Sequence, residues 1–581
     1  MLRVGRSRCA AGLVFLVLAG AALAQVRPDS GRMLEDSRTG GAPQPPRPAP
    51  RLETQEPVRP ALTAPDSFRV LVKGFRVTRA TVFAESDLTA LLKAYVDREL
   101  GLADLEEAAA VITRYYRDRG YFVARAYVPA QEIRDGIVEI TVLEGRLGAI
   151  KLFVPEGRRS ETSPRLVRGI ISANQPPGSV IRNSGLERGL LLLSDTPGIV
   201  ARASLAPGEE PGTSDLTVDV GDPPPLSGSV DIDNFGNRYS GEFRLGGTAY
   251  LNSPGGLGDI VSARIQASMG SQNARLGYQI PVGYRGLRVR AAFSAVRYKL
   301  CCGFVSSTAP GASASDFTGS ATDFTMTGQY PFVRSRNVNV YGALSASAKR
   351  FADKNGENKF SDRTTRSAAL GVSGDSRDGA GGGGLNAYSL AYTNGKLDLT
   401  GEGELSQDEQ TTQKDGGYSK INYAFSRLQR LGFATSLYAS LSGQMASKNL
   451  DSSEQFALGG PYGVRAYPIG EAIGDQGMLA TVEGRWQFSD NWQGTLFYDR
   501  GQIRLHKNNE LANGLGLIST TNSYSLSGLG LGVDYARPGN VLLRVMVAMK
   551  LGTNPGRDAN DKDADGRNSR VRGWIQGIKY F

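Results

Sequence analysis

Residue types and patterns that support many protein functions are scarce in this chain. Its 581 residues include one histidine, His506, and three cysteines. A single histidine excludes a histidine-based catalytic triad as well as a cluster of histidine ligands around a metal. Long apolar runs are also scarce, because residues 10–24 form the only one. The sequence therefore indicates no enzyme, no cofactor and no bound metal.

The one apolar run has the organisation of a secretory signal peptide. Arg3, Arg6 and Arg8 precede it, and Ala22-Leu23-Ala24 ends it. A basic start, a short apolar centre and an exit of small residues are typical of such a signal. We therefore expect residues 1–24 to be removed, which leaves a mature chain without a transmembrane helix.

Removal of that segment changes both the charge and the cysteine content. The net charge falls from +10 to about +7, and the remaining charges are scattered, which argues against a nucleic-acid partner. Cys301 and Cys302 are then the remaining cysteines. The Cα atoms of sequence neighbours lie about 3.8 Å apart, below the usual disulfide range of about 4.4 to 6.8 Å. We predict no disulfide framework.

Residues 25–66 divide into a short helical candidate and a proline-rich spacer. The helix is expected from Pro28 to Ser37. Beyond it, the density of prolines excludes helix and central strand and favours an extended polyproline conformation. The spacer therefore tethers a short N-terminal segment and is long enough for that segment to move.

Residues 67–146 predict a small α+β domain. One helix is expected from Glu85 to Tyr95, and a second follows an N-cap at Asp104 and stops at Gly120. The expected strands are residues 70–77, 122–128 and 137–143. The pattern indicates a compact module of about 80 residues.

The same order of elements recurs more weakly over residues 147–224. The expected helices are residues 164–171 and 182–193, and the expected closing strands are residues 200–206 and 214–220. The sheet edges of such modules can accept an added strand. A role as plain spacers is the alternative.

Residues 225–581 change to a repeated β pattern. Residues 541–551 are one example, in which the apolar side chains on one face of the strand are those of Val541, Leu543, Val545, Val547, Met549 and Leu551. A soluble sandwich would need a large shared core, whereas this region offers mostly small and polar residues to fill one. A transmembrane antiparallel β-barrel, apolar outside and polar within, fits better. Sixteen strands suit the length at about 22 residues per strand and connection, and twelve to eighteen remain compatible.

An acidic stretch near the C-terminus, Asp561 to Gly566, has the first half of a calcium-binding loop. Position twelve of such a loop needs a bidentate glutamate, and Arg572 stands there. We therefore expect a solvated acidic loop.

Two short motifs in the barrel region carry the candidate site. The first, FALGGPYGVRAYP at residues 456–468, places Arg465 at the tip of a glycine-rich turn. The second, FYDRG at residues 497–501, places Asp499 within an alternating run typical of a strand. A cation on a folded loop and an anion on a strand are candidates for an ion pair. The candidate site residues are Gly459, Gly460, Val464, Arg465, Tyr467, Phe497, Asp499 and Gly501.

The order of these segments resembles the outer-membrane transporters of two-partner secretion, the hemolysin and filamentous-hemagglutinin secretion type. YFVARAYVPAQEIRDGIVEITVLEG, residues 121–145, resembles the signature of that family's first polypeptide-transport-associated (POTRA) domain. FALGGPYGVRAYP resembles the hallmark of its sixth extracellular loop, and FYDRG resembles the motif of a following barrel strand. The terminal Phe581 is similar to the signal that the barrel assembly machinery recognises, although Lys579 departs from it.

The resemblance implies a fold and a site. Residues 67–146 and 147–224 would be two POTRA domains in the periplasm, and residues 225–581 would cross the outer-membrane lipid as the barrel. The sixth loop would fold back into the lumen, where Arg465 would pair with Asp499. The family has glycine where this chain has Ala466, and a positive φ there would cost about 1 kcal/mol.

The resemblance also implies a function. The protein would be an outer-membrane pore that exports one dedicated, large, β-rich exoprotein from the periplasm. The POTRA domains would capture the unfolded partner, the N-terminal helix would plug the resting pore, and folding of the exported chain outside would drive transport. One alternative is a factor that assembles or inserts other outer-membrane proteins, whose better-known members carry more POTRA domains and lack the plug helix. Another is a passive diffusion channel, which leaves the periplasmic modules unexplained.

Overall fold

A computed structural model describes residues 28–38, 51–54, 68–153, 163–221, 224–302, 316–510, 521–558 and 560–581. The predicted signal peptide and most of the proline-rich spacer lie outside these ranges. Among the described helices, none is both long and apolar enough to cross a membrane. The described chain forms a short N-terminal helix, two α+β modules and one closed sheet.

The N-terminal region contributes one helix and one strand, and the first module follows. The elements in chain order are α1 (Ser30–Arg38), β1 (Arg51–Thr54), β2 (Val70–Val72), β3 (Gly74–Thr78), α2 (Glu85–Ala90), β4 (Arg98–Leu100), α3 (Leu102–Asp118), β5 (Arg125–Tyr127) and β6 (Ile137–Leu143). β6 lies between β3 and β5 in a three-stranded sheet, and β2 pairs with β4. The apolar stripe of α3 is buried in the core of this module, at Leu105, Ala108, Ala109, Ile112 and Tyr116. The strand predicted over residues 122–128 is limited to β5.

Two predicted helix details are wrong. The helix expected from Glu85 to Tyr95 ends as an α-helix at Ala90, and a separate 3-10 turn covers Lys93–Tyr95. Asp104 is not the N-cap of α3 but lies three positions beyond the N-cap, Gly101. Its carboxylate accepts a hydrogen bond of 2.8 Å from the N–H of Gly101. Because glycine has no side chain to cap the helix, an acid in the first turn stabilises the N-terminus instead.

The residues of the POTRA-like signature shape the loops of the first module. The side chain of Gln131 donates to the carbonyl oxygen of Glu139 and accepts from its N–H, both at 2.7 Å. Gly136 and Gly145 both have a φ of 73°, where a side chain is strained. A Cβ at Gly136 would also lie 2.7 Å from the carbonyl oxygen of Leu71. These signature positions therefore serve backbone geometry.

Glu144, next to Gly145 in the signature, holds a loop against α3. Its buried carboxylate accepts the N–H groups of Thr81 at 2.6 Å and Val82 at 2.8 Å, the hydroxyl of Tyr116 at 3.0 Å, and the hydroxyl of Thr81. Burial by itself raises the pKa of Glu144, but these hydrogen bonds outweigh it and hold the pKa below its usual value. The carboxylate is therefore bound in its charged form.

We expect Glu144→Gln to destabilise the first module by about 1.5 to 3 kcal/mol, the usual contribution of hydrogen bonds to a charged group. Because the folded-state pKa is lowered, the carboxylate stabilises the module above its unfolded pKa of about 4.3. That stabilisation is lost as the pH falls through the folded-state pKa. Hydrogen exchange at the amides of Thr81 and Val82 in the full-length protein, corrected for intrinsic rates, measures both effects.

The matched control for this prediction is Glu132→Gln, because the side chain of Glu132 is 82% exposed. The control should leave the protection of Thr81 and Val82 unchanged. Equal loss of protection in the two variants would contradict the role of Glu144, and so would a wild-type profile without pH dependence.

The second module has the predicted order of elements. They are β7 (Arg146–Phe153), α4 (Pro164–Asn174), α5 (Asn183–Ser194), β8 (Val200–Pro207) and β9 (Thr213–Gly221). The strand order of its sheet is β1-β8-β9-β7. β1, from the N-terminal linker, pairs in parallel with β8, from Arg51 opposite Arg202 to Thr54 opposite Leu205. The edge of this sheet therefore accepts an added strand, as predicted, and that strand belongs to the chain itself.

Sixteen strands form a closed antiparallel barrel, as predicted. They are β10 (Leu226–Asp233), β11 (Arg244–Asn252), β12 (Ile260–Ala267), β13 (Ser271–Val282), β14 (Leu287–Lys299), β15 (Phe317–Arg334), β16 (Val338–Asn355), β17 (Asn358–Asp378), β18 (Gly384–Leu399), β19 (Gly416–Arg430), β20 (Thr435–Ala446), β23 (Gln476–Ser489), β24 (Trp492–Arg504), β25 (Ser523–Arg537), β26 (Val541–Leu551) and β27 (Val571–Tyr580). β10 pairs with β27 and closes the ring. The connection from β20 to β23 contains a small hairpin of β21 (Phe456–Ala457) and β22 (Ile473–Gly474), and the connection from β18 to β19 contains helix α6 (Glu402–Gln410).

The two faces of the barrel differ in polarity because side chains alternate along each strand. On β26, Leu543, Val545 and Val547 are exposed on the outer face, whereas Met546 and Ala548 are buried on the inner face. An apolar outer face around a more polar interior is the pattern of a barrel in lipid.

The second module contacts one rim of the barrel, which we call the module rim. Arg334, at the end of β15, pairs with Asp195 through two contacts of 2.7 and 2.8 Å. Arg188 of α5 donates to the carbonyl oxygen of Pro331 at 2.6 Å. β10 begins beside the second module, and successive strands of the barrel run in opposite directions. The turn between β15 and β16 therefore lies at the module rim, and the connection between β20 and β23 begins at the far rim.

The two adjacent cysteines form a disulfide with each other, although sequence neighbours lie closer together than the usual disulfide range. Their Cα atoms are 3.7 Å apart. Cys302 has a φ of 61°, so the chain turns sharply just after β14 and the two side chains meet. The sulfur of Cys302 also lies 3.3 Å from that of Met269.

The prediction of a solvated acidic loop is wrong for two of its acids, because nearby cations neutralise them. Asp563 is fully buried and pairs with Lys550 on β26. Asp565 pairs with Arg572 on β27 at 2.8 Å. Asn554 also donates to Asp563 at 3.0 Å. These side chains bind the carboxylates that a calcium ion would need.

Candidate functional site in the barrel lumen

The connection between β20 and β23 folds back into the barrel and carries the first motif. Val464 forms an isolated bridge with Gly459 and is fully buried, as are Ala466 and Tyr467. Gly460 has a φ of 111°, which a side chain rarely adopts. A Cβ at Gly463 would lie 1.8 Å from the carbonyl oxygen of Leu458. The glycines are therefore needed for the tight turn that places the side chain of Arg465 against the barrel wall.

Arg465 and Asp499 form the ion pair that the two motifs predicted. Nε and Nη2 of Arg465 lie 2.9 and 2.8 Å from the two carboxylate oxygens of Asp499. The backbone N–H of Arg465 donates to the same carboxylate at 3.1 Å, and the hydroxyl of Thr481 donates to it at 3.0 Å. Asp499 is fully buried and Arg465 nearly so. A bidentate pair with further hydrogen bonds is the geometry in which a buried charge pair is satisfied.

Arg465 has three further contacts that sequence reasoning missed. Its Nη1 lies 2.8 Å from Glu483 on β23, and its carbonyl oxygen accepts from the indole of Trp574 on β27 at 2.8 Å. Its guanidinium lies 3.4 Å from the centre of the Phe497 ring, which is a favourable position for a cation. The tip is thus bound by three strands of the wall, and Glu483 also pairs with Arg485 at 2.7 Å.

The remaining predicted residues pack around this pair. Val464, Tyr467 and Phe497 belong to one buried apolar cluster. A Cβ at Gly501 would lie 2.5 Å from the side chain of Leu458, which belongs to the same cluster. The structure therefore brings all eight candidate residues into one contact region.

Ala466 fits at the loop tip without the predicted strain. It is not among the residues with a positive φ, so the cost of about 1 kcal/mol for such a conformation does not arise. The wall beside it is Gly528 on β25, where an added Cβ would lie 2.6 Å from the Cβ of Ala466. The methyl group of Ala466 is accommodated because Gly528 has no side chain.

Helix α1 lies in another part of the lumen. Its bounds, Ser30–Arg38, are close to those predicted for the N-terminal helix, Pro28 to Ser37. The N–H and hydroxyl of Ser30 donate to Asp353 on β16 at 3.0 and 2.9 Å. At the other end of the helix, Arg38 pairs with Asp323 on β15 at 2.7 Å. Polar contacts to the wall therefore hold both ends of α1.

The middle of α1 is held by apolar packing. Leu34 is fully buried and Met33 nearly so. They share a cluster with inward side chains of the wall and of the adjoining connections, namely Val296, Tyr298, Phe317, Ala321 and Phe351 on the strands and Tyr239 and Leu300 beyond them. Burial of this kind contributes about 1.5 to 3 kcal/mol for each large side chain.

Two cations on the wall are shared between α1 and the loop that carries Arg465. Arg363 on β17 pairs with Asp29 before α1 at 2.8 Å and with Asp451 of the loop at 2.7 Å. Lys349 on β16 lies 3.4 Å from Glu35 of α1 and 2.7 Å from Glu454 of the loop. The helix and the loop therefore depend on the same two positive charges.

A cavity of about 590 Å³ lies beside the loop tip. Its lining combines small side chains such as Ser389, Ser426 and Ser440 with charged and aromatic ones, among them Glu483, Arg485, Asp534, Arg544, Tyr388 and Tyr438. The lumen is thus a polar conduit with two folded obstacles, α1 and the loop tip, which hydrogen bonds, ion pairs and apolar packing hold against the wall.

Comparison with known proteins places these features in context. Residues 70–145 match the ShlB-type POTRA domain, and residues 212–535 match the haemolysin secretion/activation protein family ShlB/FhaC/HecB. The heme/hemopexin transporter protein HuxB of Haemophilus influenzae strain 86-028NP is 28% identical over 509 residues, which cover 85% of this chain and 84% of HuxB. The outer membrane transporter CdiB of Dickeya dadantii strain 3937 is 25% identical over 72% of each chain. The solved structure of CdiB from Escherichia coli is similar in fold, with a TM-score of 0.67 at 19% identity over 90% of this chain and 93% of that one.

Proposed function

Because the chain belongs to the haemolysin secretion/activation protein family, it is an outer-membrane transporter of two-partner secretion, and we propose how its closed lumen opens for the exported partner. The protein exports a dedicated exoprotein to the cell surface, with its barrel in the outer membrane and its POTRA domains in the periplasm. The module rim is then the periplasmic rim. In the proposal, α1 is a plug that withdraws, and the Arg465 tip is a latch within the lumen.

The observation that carries this proposal is the position of α1 and of the loop tip inside one lumen. Each is held by ion pairs and apolar packing to the wall. Both belong to segments that can move away as units, because a proline-rich spacer connects α1 to the first module and the tip belongs to a long connection. Release of the two would widen the polar conduit between the rims.

The pairing of β1 with β8 supports a mode of partner capture. β1 shows that the edge of the second module binds an extended segment through backbone hydrogen bonds. We propose that the unfolded N-terminal region of the partner adds to a POTRA sheet edge in the same way. At the β8 edge it would take the place of β1, whose chain leads back to α1.

The partner is expected to be a very large secreted protein whose gene adjoins the gene for this transporter. Co-expression of the two proteins tests the function. With the transporter present, the partner should reach the cell surface, and without it the partner should accumulate in the periplasm while other outer-membrane barrels keep their normal amounts. A general loss of barrels would instead favour an assembly factor. A steady solute-selective conductance that stays unchanged when residues 25–66 are deleted would favour a diffusion channel.

The proposal includes two partners of the barrel itself. Outer-membrane lipid surrounds its apolar outer face, and the barrel assembly machinery inserts it with the help of the terminal strand. The exposed Phe581 at the end of β27 is consistent with such recognition, and Lys579 donates to Asn540 across the adjoining turn.

A further inference from the structure

A group of five basic side chains lies on the outer face of β14–β18, at the end of the barrel away from the POTRA domains. We call them the basic patch: Arg297 and Lys299 on β14, Arg350 on β16, Arg366 on β17 and Lys396 on β18. All five are exposed. Their outward direction follows from the alternation of each strand, because they share a face with the exposed side chains of Phe293, Leu344, Leu370 and Tyr392.

The basic patch lies at the level of the lipid headgroups of the outer leaflet. On β16, every outward residue from Val338 to Ala348 is apolar or glycine, and Arg350 is the next one. Ten residues of strand rise about 33 Å, which a tilt of about 40° reduces to about 25 Å, the height of the apolar band of such barrels. Arg350 therefore stands just above the apolar band.

Like charges in the patch are unusually close. Arg366 and Lys396 are direct partners across β17 and β18, an arrangement that is destabilising without an anion between them. Arg350 is diagonal to Arg366, since its own partner is Thr364. Lys396 also pairs with Asp398 at 2.5 Å, so this carboxylate compensates one of the five charges.

The wider charge balance of the patch is also positive. Arg350 has one distant carboxylate, that of Asp362, at 3.7 Å. Within the described part of the chain, no ion pair involves Arg297, Lys299 or Arg366. The acids beside these five cations, namely Asp362, Asp398 and Asp415, are thus fewer than the cations.

The largest group of outward cations at this end lies on β14–β18, and a smaller one, Arg500 and Arg504, lies on β24. The same end of the outer face on β25–β27 and β10–β12 carries serine, glycine and apolar residues such as Ser525, Met549 and Ile232. In these fully described strands, no lysine or arginine faces outward at that end. The outward cations are therefore spread unevenly around the barrel, and the five on β14–β18 are close enough together to face one anion.

We propose that the basic patch binds the phosphate groups of an outer-leaflet glycolipid whose acyl chains lie on the apolar band below it. A phosphate between Arg366 and Lys396 would replace their repulsion by charge-assisted hydrogen bonds. Phe324, Leu344 and Leu370 provide the exposed apolar surface for the acyl chains on the same three-strand sector. Binding of this lipid does not depend on export, so it can fail or succeed separately from the proposed transport function.

The test uses the full-length protein in detergent and measures its thermal unfolding as lipid is added. The probes are a bisphosphorylated, acylated disaccharide glycolipid, the same glycolipid without its phosphates, and inorganic phosphate. We expect the phosphorylated glycolipid alone to raise the unfolding temperature. The double variant Arg366→Gln/Lys396→Gln should bind it roughly 30-fold more weakly, since each basic residue contributes about a factor of five near an anionic lipid.

Two further variants make the result decisive. Lys579→Gln removes an outward cation near the periplasmic rim and should bind the glycolipid like the wild type. Arg366→Lys/Lys396→Arg keeps both charges and should retain most of the binding. Unchanged binding by the double glutamine variant would overturn the proposal. Equal stabilisation by the dephosphorylated glycolipid would overturn the role of phosphate, and full stabilisation by inorganic phosphate would overturn the assignment to a lipid.

Discussion

Replacement of Arg465 by alanine should reduce export of the partner at least about tenfold while the barrel stays inserted in the outer membrane. The substitution removes the bidentate pair with Asp499 and the contact with Glu483. Removal of one member of a buried pair costs about 3 to 5 kcal/mol, because the other charge stays buried without a partner. We therefore expect the loop tip to leave its seat on the wall. Export is measured as the amount of partner at the cell surface, and insertion as heat-modifiable migration of the barrel.

The matched control for Arg465→Ala is Arg544→Ala. Arg544 also points into the lumen and pairs with an aspartate of a neighbouring strand, Asp534, at 2.9 Å. Among the described residues, Arg544 makes no hydrogen bond or ion pair with the loop tip. The control should therefore export normally. Normal export by Arg465→Ala, with the barrel inserted, would remove the latch from the mechanism.

Replacement of Leu34 by aspartate should open the resting pore. Leu34 is fully buried in the apolar cluster that holds the middle of α1. Loss of its packing alone costs about 2 to 5 kcal/mol, and a buried carboxylate without a partner adds to that cost. A change of this size shifts the balance between plugged and unplugged lumen by a factor of about 30 or more. Conductance of the purified full-length protein in a planar bilayer measures the shift.

The control for the plug variant is Leu257→Asp. Leu257 lies in the turn between β11 and β12 and is half exposed, so the same substitution there should leave the conductance low. Deletion of residues 25–66 gives the upper limit of the open state. If Leu34→Asp conducts like the wild type while the deletion conducts strongly, the apolar cluster does not hold the plug.

The sequence alone predicts most of the fold because the decisive patterns are local. Alternation in runs such as residues 541–551 specifies the two faces of each strand, and the chain length limits the number of strands. Details that depend on distant partners or on a single backbone angle were not predictable. The disulfide of Cys301 and Cys302 depends on the left-handed conformation of Cys302, and the burial of Asp563 depends on Lys550 of a neighbouring strand.

The candidate site was predictable in part. The charges and the two motifs indicated Arg465 and Asp499, and the family resemblance brought them together. Glu483 could have been found from the alternation of β23, where Thr481, Glu483 and Arg485 share the inner face. The contact with Trp574 had no such signal, because only closure of the barrel decides which strand faces the loop tip.

The packing of the loop tip against β25 limits which residues the tip can carry. Ala466 and Gly528 compete for one volume, since a Cβ at position 528 would lie 2.6 Å from the methyl carbon of Ala466. A methyl group fits at one of these positions but not at both together. The residue that the tip can carry is therefore set by a strand far away in the sequence. The chain can carry alanine instead of the family's glycine at position 466 because position 528 on the wall is a glycine. Positions 466 and 528 therefore form one structural unit.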